Sequence, residues 1–109
     1  MWYEPQPDRC LLGHRSDFYA ERHPRPKDVL LGVEVMDSSR SYDCALKLPL
    51  YAKAELREVW LVDPKKRAIE VDRRPALRGY REQRTFEPGQ TIRPLAFPRL
   101  RVRVNDVLG

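Results

Sequence analysis

Glu34 stands where a carboxylate is hard to keep. It lies inside the run Val29-Leu30-Leu31-Gly32-Val33-Glu34-Val35-Met36, which Pro26 and Asp28 bound before and Asp37-Ser38-Ser39 bound after. An apolar run of this length between turn residues reads as a buried strand. A charge within such a strand is costly unless something compensates it. Lys47, in the following segment Tyr42-Asp43-Cys44-Ala45-Leu46-Lys47, can supply the opposite charge. Asp8, after Pro5-Gln6-Pro7, is a second carboxylate at the start of a short apolar stretch. Two carboxylates from different strands can hold a hard divalent cation through oxygen ligands. Such an ion polarises a phosphoryl oxygen and lowers the pKa of water. A nearby lysine then stabilises charge in the transition state or orients that water. Asp8, Glu34 and Lys47 fit this chemistry by type, although their spacing is not distinctive. On composition alone, a strand-end carboxylate reaching water is an equal reading of Glu34.

The elements that position these residues follow from local pattern. Asp8 to Leu12 predicts a short strand. Gly13 to Lys27, with His14 and His23, reads as an irregular connection, and neither histidine is placed in the site. In the strand Val29–Met36, alternation puts Leu30, Gly32, Glu34 and Met36 on one face. Asp37-Ser38-Ser39 can cap a helix predicted from about Ser41 to Ala54. Asp43, Lys47 and Tyr51 are spaced four apart and share one face, beside an apolar stripe of Leu46, Leu50 and Ala54. Pro49 falls inside that helix and removes the hydrogen bond its nitrogen would give to Ala45. Glu58 to Val62 predicts a second strong strand, turned by Asp63-Pro64-Lys65-Lys66 into a hairpin with Ala68 to Asp72. Tyr80 to Phe86 can add a strand, and Pro88-Gly89 turns the chain again. Leu100 to Val104 alternates strictly, which predicts a strand with Leu100, Val102 and Val104 inward and Arg99, Arg101 and Arg103 outward.

The 109 residues predict one small domain of α/β (α+β) type. The net charge of +5 is unevenly spread. Residues 1–64 carry 9 Lys/Arg against 11 Asp/Glu, whereas residues 65–109 carry 12 against 5. An acidic half joined to a basic half suits a polyanion held near a metal, and Arg99, Arg101 and Arg103 are candidate phosphate contacts. An ordinary solvated face is the competing reading of those arginines. No apolar run is long enough to span a membrane and no signal peptide is evident, so the expected location is cytoplasmic. Cys10 and Cys44 match neither a metal-ligand nor a disulfide spacing and are expected to be free thiols.

Longer stretches carry a resemblance. Pro5-Gln6-Pro7-Asp8, Val29 to Val35, Asp37-Ser38-Ser39, Tyr42-Asp43, Lys47-Leu48-Pro49-Leu50-Tyr51-Ala52 and Glu58 to Asp63 resemble the Uma-two family of restriction endonucleases, within the PD-(D/E)XK nuclease superfamily. The tail Gly89 to Ile92, Pro94 to Pro98 and Val107-Leu108 is similar to that family's closing segment. The resemblance covers nearly the whole chain, in order. It implies a restriction-endonuclease-like mixed sheet with a flanking helix and a Mg2+ or Mn2+ ion between carboxylates. Asp8 and Glu34 would be metal ligands, with the backbone carbonyl of Val35 as a third. The superfamily's lysine usually lies two residues after the glutamate, where this chain has Met36. Lys47 resembles the family's relocated lysine, with Asp43 one turn earlier to orient it.

The chain departs from the pattern in several places. Gly32 replaces a larger aliphatic residue, Cys44 an arginine, and Glu55 the glycine that usually helps end the helix. Family members also run well beyond the position of Met1, so an amino-terminally shortened member or a fragment is expected, and a homodimer is one way to cover the edge this exposes. The expected function is a metal-dependent endonuclease acting on DNA. The alternative is a catalytically silent nuclease-fold remnant that binds nucleic acid or a protein partner through its basic half.

Overall fold

The computed structural model describes residues 9–12, 29–36 and 41–109. Three strands predicted from apolar patterning are present: β1 (Arg9–Leu12), β2 (Val29–Val35) and β3 (Glu58–Asp63), with helix α1 (Ser41–Lys53) between the last two. The hairpin continues as β4 (Ala68–Ala76) and β5 (Gly79–Phe86). These five strands form one sheet in the order β1-β2-β3-β4-β5. Only the β2/β3 pair is parallel, so the sheet is mixed. A parallel pair needs a crossover connection, which α1 supplies.

The hairpin turn forms at Asp63, whose Oδ1 accepts the backbone N–H groups of Lys65 and Lys66 at 3.1 Å each. Strand β3 is buried from Glu58 through Val62, because both of its faces are covered. On the α1 face Val59 and Leu61 pack with Val29, Tyr51 and Leu56. On the other face Trp60 and Val62 pack with Leu31, Ile69, Val71 and Phe86. That second face is closed by the carboxyl-terminal segment: β6 (Thr91–Ile92), β7 (Val102–Arg103) and the short helix α2 (Val104–Leu108). Ile92 and Val104 are fully buried there.

One expectation from apolar spacing is corrected. The strand predicted over Leu100 to Val104 is reduced to Val102–Arg103, and Val104 begins α2. Leu100 is exposed, while Val104 is buried as expected. Five residues of alternation are too few to separate a strand from the approach to a helix. The apolar stripe of Leu46 and Leu50 on α1 points away from the core, the two side chains being 55% and 49% exposed. The buried surface of α1 is instead the neighbouring one, with Tyr51 and Ala52 inside and Leu48 packed at its margin.

The end of α1 determines how Tyr51 is held. Leu56 N–H donates to the Tyr51 carbonyl and Glu55 N–H to the Ala52 carbonyl, each at 3.0 Å. This 6→1, 5→2 pair is a Schellman closure, with Tyr51 and Leu56 in the same apolar cluster. The closure requires a left-handed residue, and Glu55 takes that place at φ 65°. Glycine is favoured there because it has no Cβ to clash. Glu55→Gly is therefore expected to raise stability by about 0.5–1 kcal/mol, strain relief outweighing the added freedom of the unfolded chain. Urea unfolding of the two proteins checks this.

Candidate active site

Glu34 projects from β2 beneath α1, level with Leu61 of the parallel neighbour β3. Its side chain is completely buried. One turn of α1 separates Lys47 from Tyr51, so the helix presents both to the same carboxylate. The Tyr51 hydroxyl donates to Glu34 Oε1 at 2.5 Å. Lys47 Nζ stands 3.7 Å from that same oxygen. The first contact is a short charge-assisted hydrogen bond, and the second is an ion pair beyond hydrogen-bond length. Together they compensate a charge that burial alone would penalise. Tyr51 is fully buried, whereas the Lys47 side chain keeps 23% of its surface exposed. The lysine thus links a closed carboxylate to the protein surface.

The other residues singled out from sequence are placed less closely. Asp8 lies outside the described residues. Its chain neighbour Arg9 pairs with Val33, the chain neighbour of Glu34, across the antiparallel β1/β2 ladder. Val35 ends β2 opposite Val62. Asp43 belongs to α1, and its side chain lies outside what is described. Arg99, Arg101 and Arg103 are exposed, as expected. They belong to the segment around β7 that covers the Trp60 face, whereas Glu34, Lys47 and Tyr51 occupy the α1 face. The arginines and the carboxylate are therefore carried by opposite layers. Among the described residues, no three His, Cys, Asp or Glu side chains gather closely enough to hold a metal ion.

Sequence reasoning put Tyr51 on the right helix face without assigning it a partner. It missed two further buried acids. Glu58 opens β3 and is fully buried. Its Oε2 accepts Trp60 Nε1 at 2.9 Å and Arg73 Nε at 2.8 Å, and its Oε1 accepts Leu95 N–H at 2.9 Å. Arg73 Nη2 also reaches the Arg93 carbonyl at 2.6 Å. This cluster clasps the carboxyl-terminal segment to the sheet. The signal was available: a turn at Asp63 sets Glu58 opposite Arg73 in the hairpin.

Asp72 is the other buried acid, and it lies on the α1 side of β4 between Val59 and Gln83. Neither carboxyl oxygen has a hydrogen-bond partner within ordinary limits. Burial, reinforced by the neighbouring Glu70, raises its pKa from 3.8 to about 8. Burial and the Asp72 charge also push the Tyr80 hydroxyl upward. Because the folded pKa of Asp72 lies above the unfolded value, the folded state binds the proton more tightly. The Asp72 contribution to stability is thus greatest below about pH 4 and falls as pH rises toward about 8. Asp72→Asn should lack this slope, so its stability relative to the natural chain should improve across that range. Thermal melts at pH 5, 7 and 9 measure the difference, and parallel profiles would contradict it.

The mixed sheet, with its parallel pair bridged by a helix, is the fold of a solved protein described as a nuclease. The chain superposes on the crystal structure of a "putative nuclease belonging to DUF820" from Anabaena variabilis ATCC 29413 with a TM-score of 0.60 at 19% sequence identity. That match covers 73% of this chain and 44% of the other, so the chain spans less than half of that protein's length. The chain belongs to the Uma2 family: the family model, described as "Putative restriction endonuclease", matches residues 3–105. No curated protein matches it. No helix among the described residues is long and apolar enough to cross a membrane.

Proposed function

We propose that this chain carries the reaction centre of a metal-dependent endonuclease that hydrolyses phosphodiester bonds in DNA. The observation that supports this most is the buried Glu34 carboxylate with Lys47 and Tyr51 on one of its oxygens. Lys47 both offsets the buried charge and, being 23% exposed, keeps a cation within reach of a phosphate at the surface. Family membership adds the nucleic-acid substrate class.

The donor chemistry suits a hard cation. Glu34 and the Val35 carbonyl offer oxygen from adjacent positions of β2, and Asp8 is the carboxylate nearest in chain to the β1 residue that pairs with Val33. These three would hold Mg2+ or Mn2+. The ion would supply Lewis-acid polarisation of a phosphoryl oxygen and activation of water. Lys47 would then meet the negative charge that builds on phosphate oxygens during attack. Asp43, one turn before Lys47, would help to orient the ammonium. Arg99, Arg101 and Arg103 would hold a different stretch of phosphate backbone without reading bases, since they lie on the far layer.

Incubation of the purified chain with plasmid and with single-stranded DNA, with Mg2+, with Mn2+ and with chelator, tests the reading. Cleavage that requires the metal is expected. DNA binding without cleavage at saturating Mn2+ would overturn it in favour of a silent nuclease-fold remnant.

A further inference from the structure

We infer that Tyr51 is a positioning residue that restricts Glu34 to one-oxygen coordination and so biases the site toward small cations over calcium. The inference rests on the reading of Glu34 as a metal ligand. Two groups from α1 converge on Oε1: the Tyr51 hydroxyl donates to it at 2.5 Å and the Lys47 ammonium pairs with it at 3.7 Å. An oxygen that already accepts a short hydrogen bond is a poor half of a two-oxygen chelate. Ca2+ uses such chelates readily in its loose shells of six to eight oxygens, whereas Mg2+ demands near-ideal octahedral geometry and takes single carboxylate oxygens. A hydroxyl fixed on one oxygen therefore discriminates by geometry rather than by charge.

Tyr51 is well suited to hold that position. It is fully buried, its carbonyl closes the Schellman turn with Leu56, and its ring packs in the cluster beneath α1. Close packing around the buried ring restricts the side-chain rotations that would carry the hydroxyl away from Glu34. Lys47, 23% exposed and beyond hydrogen-bond length, cannot impose the same orientation.

The test is calorimetric titration of the metal-free full chain with Mn2+ and, separately, with Ca2+, for the natural protein and for Tyr51→Phe. The substitution removes the hydroxyl and keeps the ring, and thermal melting without metal checks that the variant folds. If it does not, the same comparison is made with Glu55→Gly added to both proteins. The natural chain should prefer Mn2+. Tyr51→Phe should lose roughly tenfold in Mn2+ affinity, as is typical when a ligand's orienting partner is removed, with Ca2+ affinity unchanged or higher. A Mn2+/Ca2+ ratio that stays within about twofold of the natural value would overturn the role of Tyr51 alone. A natural chain that binds Ca2+ as tightly as Mn2+ would do the same. Failure of the natural chain to bind either ion would remove Glu34 as a ligand, and this inference with it.

Discussion

Lys47→Ala is expected to lower the rate of DNA cleavage by roughly 10²–10³-fold, the loss typical when one donor to a charged transition state is removed. The ground state should change far less. Lys47 sits 3.7 Å from Glu34 Oε1, too far for a hydrogen bond, and Tyr51 keeps its own bond to that oxygen. The carboxylate thus stays oriented, and Mn2+ affinity should remain close to that of the natural chain. The lost interaction is one that strengthens only as charge develops on phosphate, so kcat should fall more than KM rises. Lys53, six residues further along α1 and exposed, is the control. Lys53→Ala should cleave at the natural rate. Equal cleavage by Lys47→Ala would reduce Lys47 to a counter-ion.

Glu58→Ala is expected to destabilise the fold by about 3–5 kcal/mol, the usual result of removing one partner of a buried, hydrogen-bonded charge pair. Three donors lose their acceptor together: Trp60 Nε1, Arg73 Nε and Leu95 N–H. The Arg73 side chain is only 18% exposed and would retain its charge without the carboxylate. Against a total stability of about 5–15 kcal/mol, such a loss is large. It should appear as a marked fall in the urea midpoint. It should also be local, because Leu95 is tied to β3 across 37 residues of chain by this contact. Hydrogen exchange at the Leu95 amide should accelerate more than at the β3/β4 ladder. A loss below about 1 kcal/mol would mean that the segment is held by Ile92 and Val104 alone.

The sequence made some of this arrangement legible because the relevant signals were local. The Val29–Val35 run, the turn at Asp63 and the four-residue spacing of Lys47 and Tyr51 each specify geometry within a few positions. Glu34 was conspicuous because a charge among valines and leucines requires a reason. Contacts that close over long separations were not legible. The Glu58–Leu95 bond depends on how a proline-containing segment returns to the sheet, which no periodicity encodes. Spacing on α1 also left open which of two neighbouring faces is buried. Leu46 and Leu50 formed the more apolar stripe, yet the helix is turned toward Tyr51 and Lys47. Satisfying the buried carboxylate accounts for that orientation, since an unpaired charge costs more than two leucines left in water. Asp72 was hidden for a related reason: alternation assigns it a face, but not what lies over that face.

The assignment of Glu34 as a metal ligand is the claim on which the functional reading depends. Crystals of the full chain soaked in Mn2+, with anomalous scattering recorded at the manganese edge, test it most directly. A peak within coordination distance of the Glu34 carboxylate is expected, with the Val35 carbonyl and Asp8 completing the oxygen set. A peak bound elsewhere, or none beside Glu34 at saturating Mn2+, would contradict it.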